Sequence, residues 1–268
     1  MTRIRELHSS LILLDKHTAS IIMYTQEQIK PYGDNGSKRE QVERMFNNIA
    51  HSYDMLNHTL SFGIDRCWRN EAIRFLLKNR TSTENVLDIA TGTGDFAIIA
   101  HRKLHPKRIV GCDISEGMMD IAREKVKKLG LGHSITFQNE DCSNMSFNDS
   151  SFDAVISAFA LRNFQNLDKC LQEMHRVLSP GGHLSVVDLC APTAFPMKQL
   201  FFVYKRCIMP AVGRLFSRDM SAYSYLPDTM DAVPQGERMQ QIIQQAGFRN
   251  VSYKRLVFGM CMLYTAQK

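Results

Sequence analysis

Apolar residues along this chain switch repeatedly between helix spacing and strand spacing. Over 38–50, Val42, Met45, Phe46 and Ile49 recur at intervals of three and four, the pattern of one helix face. The polar and aromatic stretch 51–57 then reads as a turn, followed by a short apolar piece at 60–63 and a helix over 65–78. Short runs at 85–89, 135–141, 154–158 and 184–188, and another ending at Asp113, are apolar or β-branched. Helical patterns at 96–104 and 167–178 lie between them. Such runs suit strands buried on both faces of a parallel sheet, and the alternation predicts right-handed crossovers with helices on both sides. Two late runs, 251–257 and 260–266, are separated only by Phe258 and Gly259, too close for a crossover, so they should form an antiparallel hairpin at one sheet edge. The expected fold class is α/β: a doubly wound, mostly parallel seven-stranded sheet with that C-terminal hairpin. Residues 1–37, holding Pro31, Gly33, Asn35 and Gly36, are expected to be a flexible lead-in to one domain over 38–268. Within it, 1–22 show no role in the domain, and Met23 is an alternative start.

The chemistry concentrates after the first expected strand, in Val86-Leu-Asp-Ile-Ala-Thr-Gly-Thr-Gly-Asp95. Glycines there let backbone approach a ligand, and Asp113 at the tip of the next strand sits where a ribose presents its two hydroxyls. A dinucleotide loop brings a helix N-terminus onto a pyrophosphate, which Asp95, directly after Gly94, would repel. The loop instead suits a nucleoside ligand without phosphate and with a positive centre. S-adenosylmethionine (SAM), with its sulfonium and ammonium groups, is such a ligand. The acidic pair Glu140-Asp141, followed by Cys142, suits an adenine edge, and Pro180-Gly181-Gly182 separates a helix from the next strand. Acidic ends on strands one to three plus that helix–Pro-Gly-Gly–strand unit form the signature of class I SAM-dependent methyltransferases. On this reading Thr93 and Gly94 offer backbone groups to the methionine part, Asp113 takes the ribose hydroxyls, and Asp141 and Cys142 flank the adenine. Met118 either lies against the adenine face or packs in the core.

Composition narrows the setting. The chain has 268 residues, 44% hydrophobic and 22% charged, enough to bury a full core in one domain. Its net charge of +6 is mild and scattered, with no basic block of the kind that binds nucleic acid. Seven cysteines lie far apart without a C-x-x-C, which fits reduced thiols in the cytoplasm, and the nine histidines show no metal cluster. Apolar runs fall short of the roughly 18–20 residues of a membrane span, and 11–14 is too short for a signal-peptide core.

Four segments go beyond the general loop: Phe46–Gly63, ending Tyr-Asp-Met-Leu-Asn-His-Thr-Leu-Ser-Phe-Gly; Phe159-Ala-Leu-Arg162-Asn163; Ser221–Leu226; and Gln244–Phe248. With them the chain, over about 40–268, resembles the C-methyltransferases of menaquinone and ubiquinone biosynthesis. It departs from that pattern at His51, usually proline, at Thr91, usually glycine, and at Ala158, often serine. The resemblance implies SAM-dependent methylation of a ring carbon of a prenylated quinol. Demethylmenaquinol giving menaquinol is preferred; the benzoquinol intermediate of ubiquinone biosynthesis is the alternative. A SAM methyltransferase for another small hydrophobic acceptor is the rival within enzymes. A non-catalytic SAM-binding or nucleic-acid-binding module is the rival outside them. No Asn/Asp-Pro-Pro-Tyr/Phe motif of base methylation follows the fourth strand. Arg162 is the first catalytic candidate, a cation at the crevice edge that lowers the quinol pKa; otherwise it caps or pairs on the surface. Tyr53 and Asp54 follow, either closing the pocket against the quinol or forming a helix-end turn with Asp54 as cap. His51 and His58 are weaker candidates for a base. The insertion 196–225 interleaves Phe201, Phe202, Tyr204, Phe216, Tyr223 and Tyr225 with Lys198, Lys205, Arg206, Arg214 and Arg218. It reads as a lid for a hydrophobic tail with peripheral membrane contact, or as an ordinary amphipathic helix. The sequence leaves a homodimer open.

Overall fold

In the computed structural model, which describes residues 24–79, 83–208 and 221–268, seven strands form one sheet in the order β3-β2-β1-β4-β5-β7-β6. The strands are β1 (Asn85–Ile89), β2 (Arg108–Asp113), β3 (Ile135–Asn139), β4 (Phe152–Ala158), β5 (Leu178–Leu189), β6 (Arg249–Leu256) and β7 (Cys261–Gln267). The first five are parallel, and β7 runs antiparallel between β5 and β6, as the short Phe258-Gly259 connection requires. The strand order reverses between β1 and β4, which opens a crevice at their carboxyl ends, where α/β sheets hold ligands.

Helices cover both faces. On one side α3 (Asp65–Lys78) and α4 (Asp95–Leu104) bury Trp68, Ile73, Leu76 and Phe96 against β1 and β4, with Val126 of α5 (Glu116–Lys128). On the other, α6 (Leu167–Val177) and α9 (Glu237–Gln245) bury Leu171, Met174, Met239 and Ile243. A third cluster packs α2 (Lys38–Leu60) on Met118 of α5 and on Tyr225 of α8 (Ser221–Ala232). In the insertion, Met197–Val203 forms α7, Tyr204–Ile208 forms one π-helical turn, and 221–225 begin α8.

Two expectations are corrected. The turn at 51–57 does not exist, because α2 runs unbroken from a Ser37–Glu40 capping box to Leu60. Ile49, Tyr53, Leu56 and Leu60 continue the three-and-four spacing, and no glycine or proline interrupts it, so the polar residues simply occupy the other face. Asp54 is therefore mid-helix and caps nothing. The lead-in is also not a loose tail from Tyr24 onward. A short helix, α1 (Thr25–Gln28), docks on α6: the Tyr24 hydroxyl donates to Asp168 Oδ1 at 2.8 Å, and the Leu167 N–H donates to Glu27 Oε1 at 2.7 Å. The buried Lys38 ammonium donates to the carbonyls of Gln26 and Arg162, which ties this strap to the Leu161–Asn163 turn. Burial holds Lys38 down to about 7, partly opposed by Glu27. Four docked residues carry too little periodicity to be seen in sequence. Residues 1–23 lie outside the described residues. Smaller differences are that β3 stops at Asn139, leaving Glu140 and Asp141 in the following loop, and that β5 takes in Pro180–Gly182 with a register shift opposite Phe152 and Ala154.

Asp88, 1% exposed on β1, accepts from Thr91 Oγ1 at 2.6 Å, and burial pushes its carboxyl up to about 7. An unfolded Asp loses its proton near pH 4, so the stability tied to protonated Asp88 is present at low pH and is lost as pH rises from about 4 to 7. Asp88→Asn keeps an acceptor for Thr91 and should raise the melting midpoint more at pH 8 than at pH 5. Equal shifts at both values would show that Asp88 is ionised throughout.

Candidate active site

The crevice at the ends of β1, β2 and β4 holds a cavity of about 930 Å³ including its mouth. Ala90 (φ 53°) and Gly92 (φ 55°) turn the backbone left-handed after β1 and bring the loop against Asp113. Gly92 N–H donates to Asp113 Oδ2 at 2.8 Å, and Ser115 N–H donates to Oδ1 at 2.9 Å. One N–H on each oxygen fixes the carboxylate plane and leaves a lone pair on each for a diol. Burial raises the Asp113 carboxyl against the pull of these two bonds. Asp113→Ala should weaken SAM binding by about 1.5–3 kcal/mol, roughly 10- to 150-fold, measured by calorimetry. Unchanged affinity would take Asp113 out of the site.

Asp141 lines the same cavity. Its Oδ1 accepts from Ser143 N–H at 2.8 Å and Ser143 Oγ–H at 2.7 Å, and its Oδ2 pairs with Arg39 Nε at 2.8 Å. Arg39 was not identifiable from sequence, because it sits in the first turn of α2, far from any motif. Cys142 and Met118 are also in the wall, as is Ala158, which presents a methyl where a serine would present a hydroxyl. Burial drives the Cys142 thiol well above its ordinary range, so it acts as a small apolar surface.

Thr93 and Gly94 fall outside the wall. Thr93 Oγ1 donates to Asp54 Oδ1 at 2.5 Å, and Asp54 also pairs with Lys125, whose ammonium reaches Asp95 at 2.7 Å. This group ties the loop and α5 to α2 and is the place of Asp54, which lines none of the three cavities described here. Gly94 (φ 80°) starts α4, and a Cβ there would come within 3.0 Å of the Ala122 Cβ and 3.2 Å of Phe137. A side chain at this position would therefore crowd the packing of α4 on α5.

A second cavity, about 1010 Å³ with its mouth, is predominantly apolar, with Asn57, Ser61, Asp65 and Arg162 also in its lining. Leu60, Trp68, Met197, Phe201, Leu226 and Met230 form its walls, and the Tyr204 hydroxyl donates to the Leu60 carbonyl at 2.7 Å beside them. The described part of the insertion therefore supplies an apolar wall. Arg214, Phe216 and Arg218 lie outside the described residues, as does the side chain of Tyr223. A small third cavity shares walls with the other two. It shares Phe46, Tyr53 and Asn163 with the first, and Asn57, Leu60, Arg162 and Leu226 with the second.

Tyr53 thus stands between cofactor-sized and apolar spaces, its ring edge-on to Phe46 with centroids 5.9 Å apart. Burial raises its phenol, with Asn57 opposing. Arg162 is in the shared walls but is neither a free cation at the crevice edge nor a surface cap. It is 6% exposed; Nη1 donates to Asp188 Oδ1 at 2.5 Å and to the Phe159 carbonyl at 2.6 Å, and its backbone N–H donates to Asp188 Oδ2 at 3.1 Å. Asp188 partners the guanidinium, whose charge still acts on Tyr53 and Tyr225, and the Arg162 Nε is buried without a partner. Asp188 was passed over as a strand terminus; its signal was an acid closing a buried run. His51 is exposed, and His58 sits 3.1 Å from Asp65 Oδ1, outside the three cavities.

Comparison with known proteins places this geometry. Over 245 residues the chain is 56% identical to a demethylmenaquinone methyltransferase of Bacteroides fragilis, covering 91% of this chain and 99% of that one. It is 38% identical over 232 residues to a ubiquinone/menaquinone biosynthesis C-methyltransferase of Geobacter sulfurreducens, covering 86% and 90%. The crystal structure of a SAM-dependent methyltransferase from Aquifex aeolicus has the same fold, with a TM-score of 0.52 and 22% identity over 73% of this chain and 88% of that one. With residues 34–268 matching its family model, the chain belongs to the ubiE/COQ5 methyltransferase family.

Proposed function

We propose that this protein transfers the methyl group of SAM to a ring carbon of a prenylated quinol, demethylmenaquinol in preference to a benzoquinol. One observation carries the reading: a small cavity at Tyr53, Arg162 and Asn163 shares wall residues with both an acidic, nucleoside-sized space and a large, mainly apolar one. The first space fits SAM. Its wall holds the Asp113 carboxylate and two further acids, Glu140 and Asp141, which suit a diol and positive centres and disfavour phosphate. Asn163 Oδ1, buried without a partner in that wall, is an acceptor suited to an ammonium. When bound, SAM supplies an electrophilic methyl on sulfur.

The chain's own residues orient and enclose. Asp113 and the Gly92 loop set the ribose, Phe46 and Phe159 exclude water, and the apolar walls hold the tail so that the ring lies at the small cavity. There the ring carbon bonds to the methyl as the sulfur–methyl bond breaks, and one proton is released to water. Holding the reacting atoms in line is worth about 7–11 kcal/mol, against roughly 3–5 kcal/mol for proton transfer help. Rigid walls therefore matter more here than a base. The stronger identity to the B. fragilis protein, 56% against 38%, supports the naphthoquinol.

A polyprenyl substrate has to be drawn from a bilayer, and exposed apolar side chains at the second cavity suit contact with one. Phe62 (76% exposed) and Leu200 (59%) line it, and Phe202 and Val203 are exposed on the same helix as Leu200. With Lys198 and Arg206 nearby in the chain, this face suits an anionic surface. Among the described residues, no helix is long and apolar enough to cross a membrane. The test is tritium transfer from methyl-labelled SAM to reduced demethylmenaquinone, to a benzoquinol and to RNA. Label is expected in the organic-extractable naphthoquinol. Faster labelling of the benzoquinol would reverse the preference, and label in RNA alone would overturn the reading.

A further inference from the structure

The middle cavity is mostly apolar, walled by Met45, Ile49, Leu56, Leu60, Ala222 and Leu226. Yet three of its residues carry a buried polar atom with no hydrogen-bond partner: Arg162 Nε, Asn163 Oδ1 and Tyr225 Oη. An unmet buried donor or acceptor costs about 1–3 kcal/mol, so three of them around one small space call for a ligand that answers them. Asn163 also faces the cofactor space, which leaves two donors, the Arg162 Nε–H and the Tyr225 O–H, for whatever fills the middle cavity. Tyr225 is 4% exposed on α8, and the Lys38 ammonium sits 5.8 Å from the centroid of its ring. Its ring is thus held in place while its hydroxyl is buried without a hydrogen-bond partner. Burial pushes the phenol far above its ordinary value, which keeps it a proton-bearing donor at any working pH.

We propose that Tyr225 is a further catalytic residue, whose hydroxyl donates, together with the Arg162 Nε–H, to the acceptor oxygen adjacent to the carbon that is methylated. This rests on the quinol methyltransferase reading above. Two fixed donors in an apolar space stabilise the oxygen as its proton leaves and negative charge grows on it, the logic of an oxyanion hole, and so populate the quinolate that then attacks through carbon. Tyr225 neither takes nor gives a proton. The acceptor's hydroxyl proton leaves to water and the ring carbon–methyl bond forms as the sulfur–methyl bond breaks. The ring-carbon proton is then lost and the oxygen is reprotonated, for a net release of one proton.

Tyr225→Phe in the full-length protein tests this. Because the hydroxyl bonds nothing in the protein, the melting midpoint should hold or rise, and SAM affinity by calorimetry should be unchanged. The turnover number with demethylmenaquinol should fall about 10²–10³-fold, the effect of removing one such donor, and its rising limb with pH should move to higher pH. A turnover number within twofold of wild type would overturn the proposal. If the variant does not fold, affinity of the wild type for the quinol and for its methyl ether at the adjacent oxygen answers instead. Clear preference for the free quinol supports the proposal, and equal affinity overturns it. A wild type inactive on every prenylated quinol would defeat the broader reading, whereas an active wild type with a fully active Tyr225→Phe would defeat this inference alone.

Discussion

Arg162→Ala is expected to cost about 3–5 kcal/mol of folding stability in addition to abolishing turnover. The cause is Asp188, 3% exposed, which would be left charged and without its guanidinium partner. In a protein of this size the melting midpoint should drop by roughly 6–20 °C. Loss of activity in this variant would therefore say little about chemistry, and two companions separate the effects. Arg162→Lys keeps a cation for Asp188 but loses the planar fork and the Nε–H. It should stay folded with wild-type SAM affinity and lose about 10²–10³ in turnover. Pairing Arg162→Ala with Asp188→Leu removes both charges and should recover most of the stability without recovering turnover. Full activity in Arg162→Lys would show that the guanidinium does not touch the reacting ring.

The elements of this site divide by how far their physics is local. Asp113 and the turn at Gly92 were legible because the loop, the strand tip and their hydrogen bonds all lie in one βαβ unit. Cys142 and Asp141 followed from the same logic at the next strand. The roles of Thr93 and Asp54 were not legible, because their bond joins residues 39 positions apart through a helix whose docking no local pattern reports. The supposed turn at 51–57 shows a related failure: polar residues were read as ending a helix, when tertiary contact gave them the outer face of a longer one. Arg162 was found by its place after the fourth strand and by resemblance, but its burial against Asp188, 26 residues on, had no local signal. Neither the walls shared between cavities nor Tyr225's unpartnered hydroxyl has any local signature, since both depend on α2, α8 and the Leu161–Asn163 turn meeting in space.

Tail length should have the other large effect. An isoprene unit brings five carbons, and burial is worth about 0.8 kcal/mol for each, so the first unit can contribute up to about 4 kcal/mol. The Michaelis constant should then fall by as much as ~10³-fold from a bare ring to a ring with one unit, less whatever ordering the tail costs. The gain should level off once the chain passes the rim at Phe62 and Leu200, where further units meet bilayer or water. Phe201, 9% exposed in the wall, gives the matching variant. Phe201→Ala should raise the Michaelis constant for prenylated quinols about tenfold or more while leaving that of the bare ring and the affinity for SAM close to wild type, because the cofactor space does not include it. Steady-state kinetics over a series of tails, in detergent below its micelle concentration, would read both effects. A Michaelis constant that does not change with tail length in the wild type would mean that the apolar cavity holds no prenyl chain and that the acceptor is a small phenol.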